Sequence, residues 1–415
     1  MLTATTTVSA SASTLLCRRC RKKKKRKKPF TGHVRTETVR IVLASRASQL
    51  AKIQTHIVLD ALKAAFPDRQ FDTSFMSTQG DKDLSQALYL LGGKSLWTKE
   101  LEIALLAGEV DMLVHSLKDV PTALPEGCAL GAILEREHGE DSLVVKKGYS
   151  VDGRVVRSLD DLPAGAVIGT SSVRRVAQLK RRYPDLVFKD VVRQTKKIMR
   201  NFLRRKKRGN LQTRLNKLDD PDGPYAALIL AKAGLSRLGL GDRVASDVVA
   251  PTLLHAVGQG ALAVEIRAED AEARRLCDAL THWQTSWRCL AERACLRVLE
   301  GGCSVPVGVH SELAHAPERR GDAGRAGRLR LVGSITAVDG RRHVEQEIVR
   351  EVSSPEQAEE LGTLVAKALV EAGGREILQE VAKDRERRAA VVGRASGTEE
   401  QKNSGVAAVG ETAVI

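Results

Sequence analysis

Short apolar runs alternate with amphipathic helical segments over most of this 415-residue chain, and this alternation constrains its fold more than any other feature. Residues 40–44 predict a buried strand, and apolar residues at helical spacing over 50–65 predict the helix that follows. Further strands are predicted over 71–76, 111–115, 166–169 and 225–231. Strands that alternate with helices in this way predict an α/β fold with mostly parallel sheets.

The last part of the chain has a different pattern. It predicts a helix over 286–299, two strands over 328–337 and 342–351, and a final helix over 355–372. These elements indicate a small α+β module after the α/β region. No apolar stretch approaches the ~18–20 residues that a membrane helix requires, which argues against an integral membrane protein.

Positive charge is concentrated in two segments. The formal net charge of +16 at first suggests a nucleic-acid or membrane partner. However, residues 1–36 contain 11 Lys or Arg and residues 192–207 contain eight, both without acidic residues, so the rest of the chain carries −3. We therefore expect no nucleic-acid partner. Residues 1–36 are interpreted as a disordered basic tail, with a nuclear or organellar targeting signal as the alternative, and residues 384–415 as a flexible tail.

The cysteines indicate the cellular compartment. Their number is odd, their spacing is irregular, and the chain lacks an apolar signal-peptide core; they stand at positions 17, 20, 128, 277, 289, 295 and 303. Reduced thiols in an intracellular compartment are therefore expected, and we predict that this compartment is the cytoplasm. Cys17 and Cys20 form one pair without a second, so no metal site is predicted.

A carboxylate and an ammonium group follow the predicted strand at 111–115. Lys118 and Asp119 lie at the C-terminal end of that strand, where ligands collect in open α/β sheets. An ionised carboxylate at such a place can stabilise a cation or transfer a proton. The alternative is a surface ion pair that closes a turn before Pro121, and the spacing alone does not choose between the two.

Arginine and hydroxyl side chains recur where predicted strands lead into helices. Ser171 or Ser172 is expected to cap a helix whose first turn contains Arg174 and Arg175. Helix N-terminal N–H groups, hydroxyls and guanidinium groups together bind carboxylates, although a capped helix with a solvated basic face is the alternative. The same residue types recur at Arg46 and Ser48, and at Arg208, Asn210 and Arg214. This recurrence predicts a ligand that bears several carboxylates.

Two single residues also stand out. Cys303 lies on a glycine-rich loop after the predicted helix 286–299, where it is either a nucleophile or attachment point, or a buried thiol. Gln54 lies on the apolar stripe of its helix, which indicates either a satisfied core amide or a ligand contact. The glycine-rich segment 256–261 lacks the spacing of a nucleotide-binding motif.

Six segments in chain order resemble the porphobilinogen deaminase (hydroxymethylbilane synthase) family, and their sequences look closest to those of animal members. They are residues 48–54, 92–102, 115–121, 169–175, 256–261 and 299–307. The resemblance implies a transferase that condenses four porphobilinogens into linear hydroxymethylbilane, and we expect a monomer. It also implies two lobes like those of periplasmic binding proteins, with a cleft between them, and a small C-terminal α+β domain. The implied domains are 37–140 with 256–282, then 141–255, then 283–383.

The resemblance also implies roles for individual residues. Cys303 matches the cysteine that carries a covalent dipyrromethane cofactor, and Trp97 stands where the family usually has phenylalanine. Asp119 matches the catalytic aspartate, and Lys118 beside it is assigned to the catalytic residues as well. Positions that match cofactor contacts are Arg46, Ser48, Lys118, Ser171, Arg174, Arg175, Arg208 and Gly258. Positions that match substrate contacts are Arg46, Ser48, Gln54, Ser116, Arg175, Arg208, Arg214, Arg237 and Gln259.

The chain departs from the family pattern at residues 192–207. Family members run from the strand near Phe188 almost directly to Arg208, whereas here 16 residues intervene. The segment begins with Val-Arg and ends with Lys, residues whose codons can begin with GT and end with AG. We therefore hypothesise a retained intron or a gene-model error. If the insert is genuine, the alternative function is a catalytically impaired member or a non-catalytic binder of anionic small molecules.

Overall fold

A computed structural model of the chain describes residues 40–77, 98–191, 210–299, 305–315, 325–384 and 386–387. Several predicted features lie outside these residues: the basic tail 1–36, the insert 192–207, most of the tail 384–415, Trp97, Arg208 and Cys303. Within the described ranges, no helix is long and apolar enough to cross a membrane.

Strands and helices alternate through the first two thirds of the described chain, as the sequence predicts. The strands are β1 Arg40–Arg46, β2 Gln70–Met76, β3 Met112–Ser116, β4 Cys128–Ile133, β5 Asp141–Val145, β6 Ser150–Val151, β7 Arg154–Val155, β8 Val167–Gly169, β9 Val187–Lys189, β10 Ala227–Ala231, β11 Ser246–Val248, β12 Leu262–Arg267, β13 Val307–His315, β14 Gly327–Thr336 and β15 His343–Val352. The helices are α1 Gln49–Ala65, α2 Lys99–Leu106, α3 Val173–Arg182, α4 Leu211–Leu218, α5 Lys232–Arg237, α6 Ala271–Asp278, α7 Trp283–Val298 and α8 Pro355–Leu369.

Each of the first two lobes is built on a five-stranded mixed sheet. The first has the order β2-β1-β3-β12-β4, in which β1 runs parallel to β2 and β3, and β12 runs antiparallel to β3 and β4. The second has the order β11-β5-β10-β8-β9, in which β5 is antiparallel to both neighbours. The expected sheets are therefore parallel in only half of their pairings, because one strand in each sheet runs against its neighbours.

The chain passes between the lobes twice. It leaves the first sheet after β4 and enters the second at β5, through residues 134–140. It returns after β11 through residues 249–261 and inserts β12 into the middle of the first sheet. These two connections therefore join sheets whose strands are far apart in sequence.

The C-terminal domain packs two helices on an antiparallel sheet of β13, β14 and β15. Its core contains fully buried Leu329, Leu331, Ile335 and Val365, which alternate on the strands or recur at helical spacing on α8. The predicted architecture of two α/β lobes and a small α+β domain is confirmed.

Hydroxyl and amide side chains start several helices as predicted. Ser48, Ser172 and Asn210 each accept a hydrogen bond from the backbone N–H three residues further on. Ser172, and not Ser171, is the cap of α3. Thr98 precedes α2 but makes no capping hydrogen bond.

Close packing of α8 against α7 gives the first testable prediction. Gly362 is buried, and a Cβ at this position would collide with the carbonyl group of Ala291 on α7. Helix propensity alone favours alanine over glycine by about 1 kcal/mol, but overpacking costs about 1–3 kcal/mol. We therefore expect Gly362→Ala to lower the melting temperature measured by calorimetry. Thr363→Ala on the same helix is the matched control, and an increased melting temperature of Gly362→Ala would contradict the close packing.

Candidate functional site

A pocket lies where β1 and β3 end in the first lobe. These parallel neighbours end at the same edge of the sheet, so the turns that follow them meet. The pocket encloses about 430 Å³, part of it open to solvent. It is lined by Arg46, Ser48, Leu50, Ala51, Gln54, Thr98, Val114, His115, Ser116 and Asp119. Five of the predicted site residues therefore share one pocket.

The turn Leu117–Asp119 carries the acid of the pocket. It is a single 3-10 turn in which Leu117 is buried and Asp119 is exposed. The Leu117 N–H donates to the Ala261 carbonyl at 3.0 Å, and the Val120 N–H donates back to the Leu117 carbonyl at 3.1 Å. These hydrogen bonds fix the backbone from which the Asp119 side chain extends.

Gln54 and Ser116 connect α1 to the end of β3. Gln54 is buried, and its Nε2 donates to the Ser116 Oγ at 2.8 Å. The sequence left open whether Gln54 is a core amide or a ligand contact, and the structure shows a buried, hydrogen-bonded amide that also lines the pocket.

Arg174 and Arg175 are buried against one carboxylate of the second lobe. Each places an Nη2 atom 2.7 Å from an oxygen of Asp141, so the alternative of a solvated basic face is wrong. Burial by itself raises the pKa of Asp141, but the two guanidinium groups outweigh it and hold that pKa well below its usual range. The buried Nε of Arg175 has no hydrogen-bond partner in the described part of the chain.

Lys118 precedes Asp119 in the turn and is close enough to the arginine pair to be influenced by its charge. Burial lowers its pKa, and the charges that act on it come from Asp119 in its own turn and from Arg175, Asp141 and Arg174 in the second lobe. The site therefore draws cations from both lobes. This arrangement suits a ligand that carries several carboxylates.

The remaining predicted contacts are engaged elsewhere. The Oγ of Ser171 hydrogen-bonds to the Asp190 carboxylate. Arg237 donates to the Gly260 carbonyl at 2.7 Å and pairs with Glu137 at 2.7 Å, and burial lowers its pKa.

Gln259 and Arg214 complete the predicted contacts. Gln259 donates to Asp141 at 2.9 Å and to the Gly139 carbonyl at 2.8 Å. Arg214 is partly buried on α4, one turn after Asn210. Gln259, like Arg237, therefore holds the connections between the lobes.

The structure also contains a buried network that the sequence analysis missed. Arg136, on the first connection between the lobes, donates through Nη2 to Glu292 Oε1 at 2.9 Å and to the Cys289 sulfur at 2.7 Å. Burial raises the pKa of Glu292, but Arg136, His255 and hydrogen bonds lower it to about 2. The sequence signal that could have indicated this network is Glu292, a charged residue on the buried side of the predicted helix 286–299.

Gly258 links this network to the turn Leu117–Asp119. Its N–H donates to Glu292 Oε2 at 2.8 Å, and its φ is +68°, a conformation that favours glycine. A Cβ at this position would lie 2.8 Å from Cγ of Leu117. The predicted cofactor contact Gly258 therefore packs directly behind the turn that carries Asp119.

His255 gives a second prediction. It is buried beside Arg136, Glu292 and Arg174, and burial lowers its pKa from 6.5 to about 4. Between these two pH values the unfolded chain binds a proton that the folded chain excludes, so stability falls as the pH is lowered through this range.

We expect His255→Gln to weaken the loss of melting temperature between pH 7 and pH 4.5. The control is His138→Gln, which changes an exposed histidine on the first connection. A His255→Gln variant whose melting temperature falls as steeply with acid as that of the parent chain would contradict this assignment.

Within the described ranges, no group of three or more His, Cys, Asp or Glu side chains is placed to hold a metal ion. The pocket is lined by the guanidinium group of Arg46 and by hydroxyl and amide side chains around one exposed carboxylate, and Lys118 adjoins that carboxylate in the turn Leu117–Asp119. Such donors can bind a polyanionic organic ligand, and Asp119 can stabilise a positive charge that develops on it.

Two models of one protein family match the chain. The family model described as "Porphobilinogen deaminase, dipyromethane cofactor binding domain" matches residues 41–275. The model described as "Porphobilinogen deaminase, C-terminal domain" matches residues 286–371.

Two relatives illustrate the similarity. The chain is 50% identical to the porphobilinogen deaminase of Synechococcus elongatus over 341 residues, which cover 82% of this chain and 95% of the relative. It is 43% identical to that of Yarrowia lipolytica over 360 residues, which cover 86% of this chain and 97% of the relative. These relatives are cyanobacterial and fungal, so the expected closeness to animal members is not supported.

Among solved structures, the methionine binding protein MetQ matches with a TM-score of 0.32 and 12% identity. The match covers 58% of this chain and 89% of that one.

Proposed function

The chain belongs to the porphobilinogen deaminase family, and from that premise we propose how its residues divide the work of the reaction. The enzyme is a transferase, hydroxymethylbilane synthase, which joins four porphobilinogens head to tail with loss of ammonia at each step. Hydrolysis then releases linear hydroxymethylbilane for tetrapyrrole and heme biosynthesis. The observation that carries the assignment of roles is the exposed Asp119 carboxylate in a pocket bordered by cations.

We propose that Asp119 stabilises the cation that forms during the reaction. When ammonia leaves, porphobilinogen becomes an azafulvene that carries positive charge, and a fixed carboxylate in a partly desolvated pocket stabilises that charge. The same carboxylate can accept the proton that a pyrrole carbon loses after the new carbon–carbon bond has formed. Asp119 can perform both tasks because its carboxylate is exposed to the pocket while the backbone of its turn is hydrogen-bonded.

The cations and hydroxyls of the site are assigned to the acetate and propionate groups of the pyrroles. Arg46 and Ser48 line the pocket on the side of β1, and Lys118 lies towards the second lobe. Gln54 and Ser116 hold the wall between them through their mutual hydrogen bond. Guanidinium groups bind carboxylates in a planar, two-point geometry, so they can orient each ring as well as attract it.

The residues present fit the dipyrromethane cofactor of the family. The unpartnered Nε of Arg175 is a donor that a carboxylate-bearing group would satisfy, and Asp141 holds the other end of the Arg175 guanidinium group in place. When bound, this cofactor supplies the pyrrole to which the first substrate unit is joined. We assign its covalent attachment to Cys303, which follows α7 in the sequence.

We further propose that the enzyme acts as a monomer in the cytoplasm and requires no nucleic acid. The charge distribution supports the last point, because outside residues 1–36 and 192–207 the formal charge is −3. Strong salt-dependent binding of nucleic acid by a chain that lacks residues 1–36 would contradict this.

The insert gives the prediction that tests the assigned function. An assay of porphobilinogen consumption should compare the full chain with a variant that lacks residues 192–207. We expect the shortened variant to be active, because its strand β9 would run almost directly into Arg208 as in the family. Asp119→Asn in the shortened chain should reduce turnover by about 100-fold or more, because it removes the charge that stabilises the azafulvene. An inactive shortened chain would instead favour the alternative of a non-catalytic anion binder.

The attachment site gives a separate prediction that does not depend on turnover. We expect the intact mass of the purified protein to exceed the mass of its sequence by two pyrrole units. The excess should disappear in Cys303→Ala and persist in Cys295→Ala, in which a buried thiol on α7 is changed. An active protein of unmodified mass would refute the attachment.

A further inference from the structure

A buried arginine on α7 contacts the backbone just after Asp119. Arg293 is only 4% exposed. Its Nη1 donates to the Val120 carbonyl at 3.0 Å, and its Nη2 donates to the Pro121 carbonyl at 2.6 Å. One guanidinium group of the C-terminal domain therefore donates hydrogen bonds to both carbonyls that follow the proposed catalytic acid.

The neighbouring residue on α7 supports the same turn from its other side. Glu292 accepts the Gly258 N–H at 2.8 Å, and Gly258 packs against Leu117. Consecutive residues of one helix thus contact the carbonyls after Asp119 directly and the Leu117 side chain through Gly258. A shift of the segment that follows Asp119 would break the two hydrogen bonds to Arg293.

The chemistry of Arg293 argues against a role in filling the core alone. Burial lowers its pKa to about 10, since a guanidinium group loses hydration there. An apolar side chain of similar volume would fill such a space without that cost. The guanidinium group is therefore explained by what it donates to, namely the carbonyls of Val120 and Pro121.

We propose that Arg293 is a positioning residue for the reaction: it holds the turn Leu117–Asp119 so that the Asp119 carboxylate faces the pocket, and it ties that position to helix α7. The inference rests on the proposed role of Asp119. Because a misplacement of about 1 Å can reduce turnover about 100-fold, two hydrogen bonds outside the pocket suffice to control the rate.

The test compares three variants of the full chain and of the chain without residues 192–207. Arg293→Met fills the space without donors, and Arg293→Lys keeps the charge with a different donor geometry. Arg297→Met is the control, because Arg297 lies one turn further along α7 in an exposed pair with Glu359.

Two quantities are measured for each variant. One is hydrogen exchange of the peptide that contains the Leu117 and Val120 amides, and the other is kcat and KM for porphobilinogen. For Arg293→Met we expect exchange about tenfold faster, because charged hydrogen bonds are lost, and kcat lower by about 10–100-fold with KM nearly unchanged. Arg293→Lys should fall between Arg293→Met and the parent, and Arg297→Met should match the parent in both measurements.

Hydrogen exchange and kinetics distinguish a failure of the Arg293 proposal from a failure of the proposed function. If Arg293→Met matches Arg297→Met in exchange and in kcat, Arg293 only fills space and the proposal is overturned. If neither parent chain consumes porphobilinogen, the proposed function fails, while the exchange comparison still decides whether Arg293 holds the turn. If Arg293→Met does not fold, Arg293→Lys decides the matter: parent-like exchange and kcat would overturn the specific role of the guanidinium group.

Discussion

The buried carboxylate of Glu292 is the contact on which the rest of the arrangement depends. It accepts hydrogen bonds from Arg136 on the first connection between the lobes, from the Gly258 N–H on the second, and from the Ser311 hydroxyl on β13. One ionised group therefore joins both lobe connections to the C-terminal domain. Removal of one partner of a buried ion pair typically costs about 3–5 kcal/mol, because the other charge is left uncompensated.

A buried carboxylate also positions two cations in the second lobe. Asp141 holds Arg174 and Arg175 by two 2.7 Å contacts, which fixes their guanidinium groups before any ligand arrives. Fixed charges need little reorganisation during a reaction, and they act more strongly in a partly desolvated cleft than in water. Lys118, beside Asp119 in the first lobe, is influenced by the charges of this cluster.

Much of the fold could be read from local patterns, and the exceptions have a common cause. Apolar runs and helical periodicity located β1, α1, β3 and the C-terminal module, because these patterns depend on residues close in sequence. The place of β12 in the middle of the first sheet could not be read in the same way. That strand pairs with β3 and β4 only after the chain has crossed the second lobe and returned, and its neighbours contribute no local pattern to it.

The sequence by itself determined the fold class, the caps at Ser48 and Asn210, and the acid turn at Asp119, since each depends on a short stretch of chain. Its motifs also pointed to the family that the comparisons then established. Only the tertiary structure decided that Arg174 and Arg175 face inward to Asp141, and that Arg136 meets Glu292 across 156 positions of sequence. Buried charges must find partners, and the partner of a buried charge is set by how lobes and domains pack, which no local pattern records.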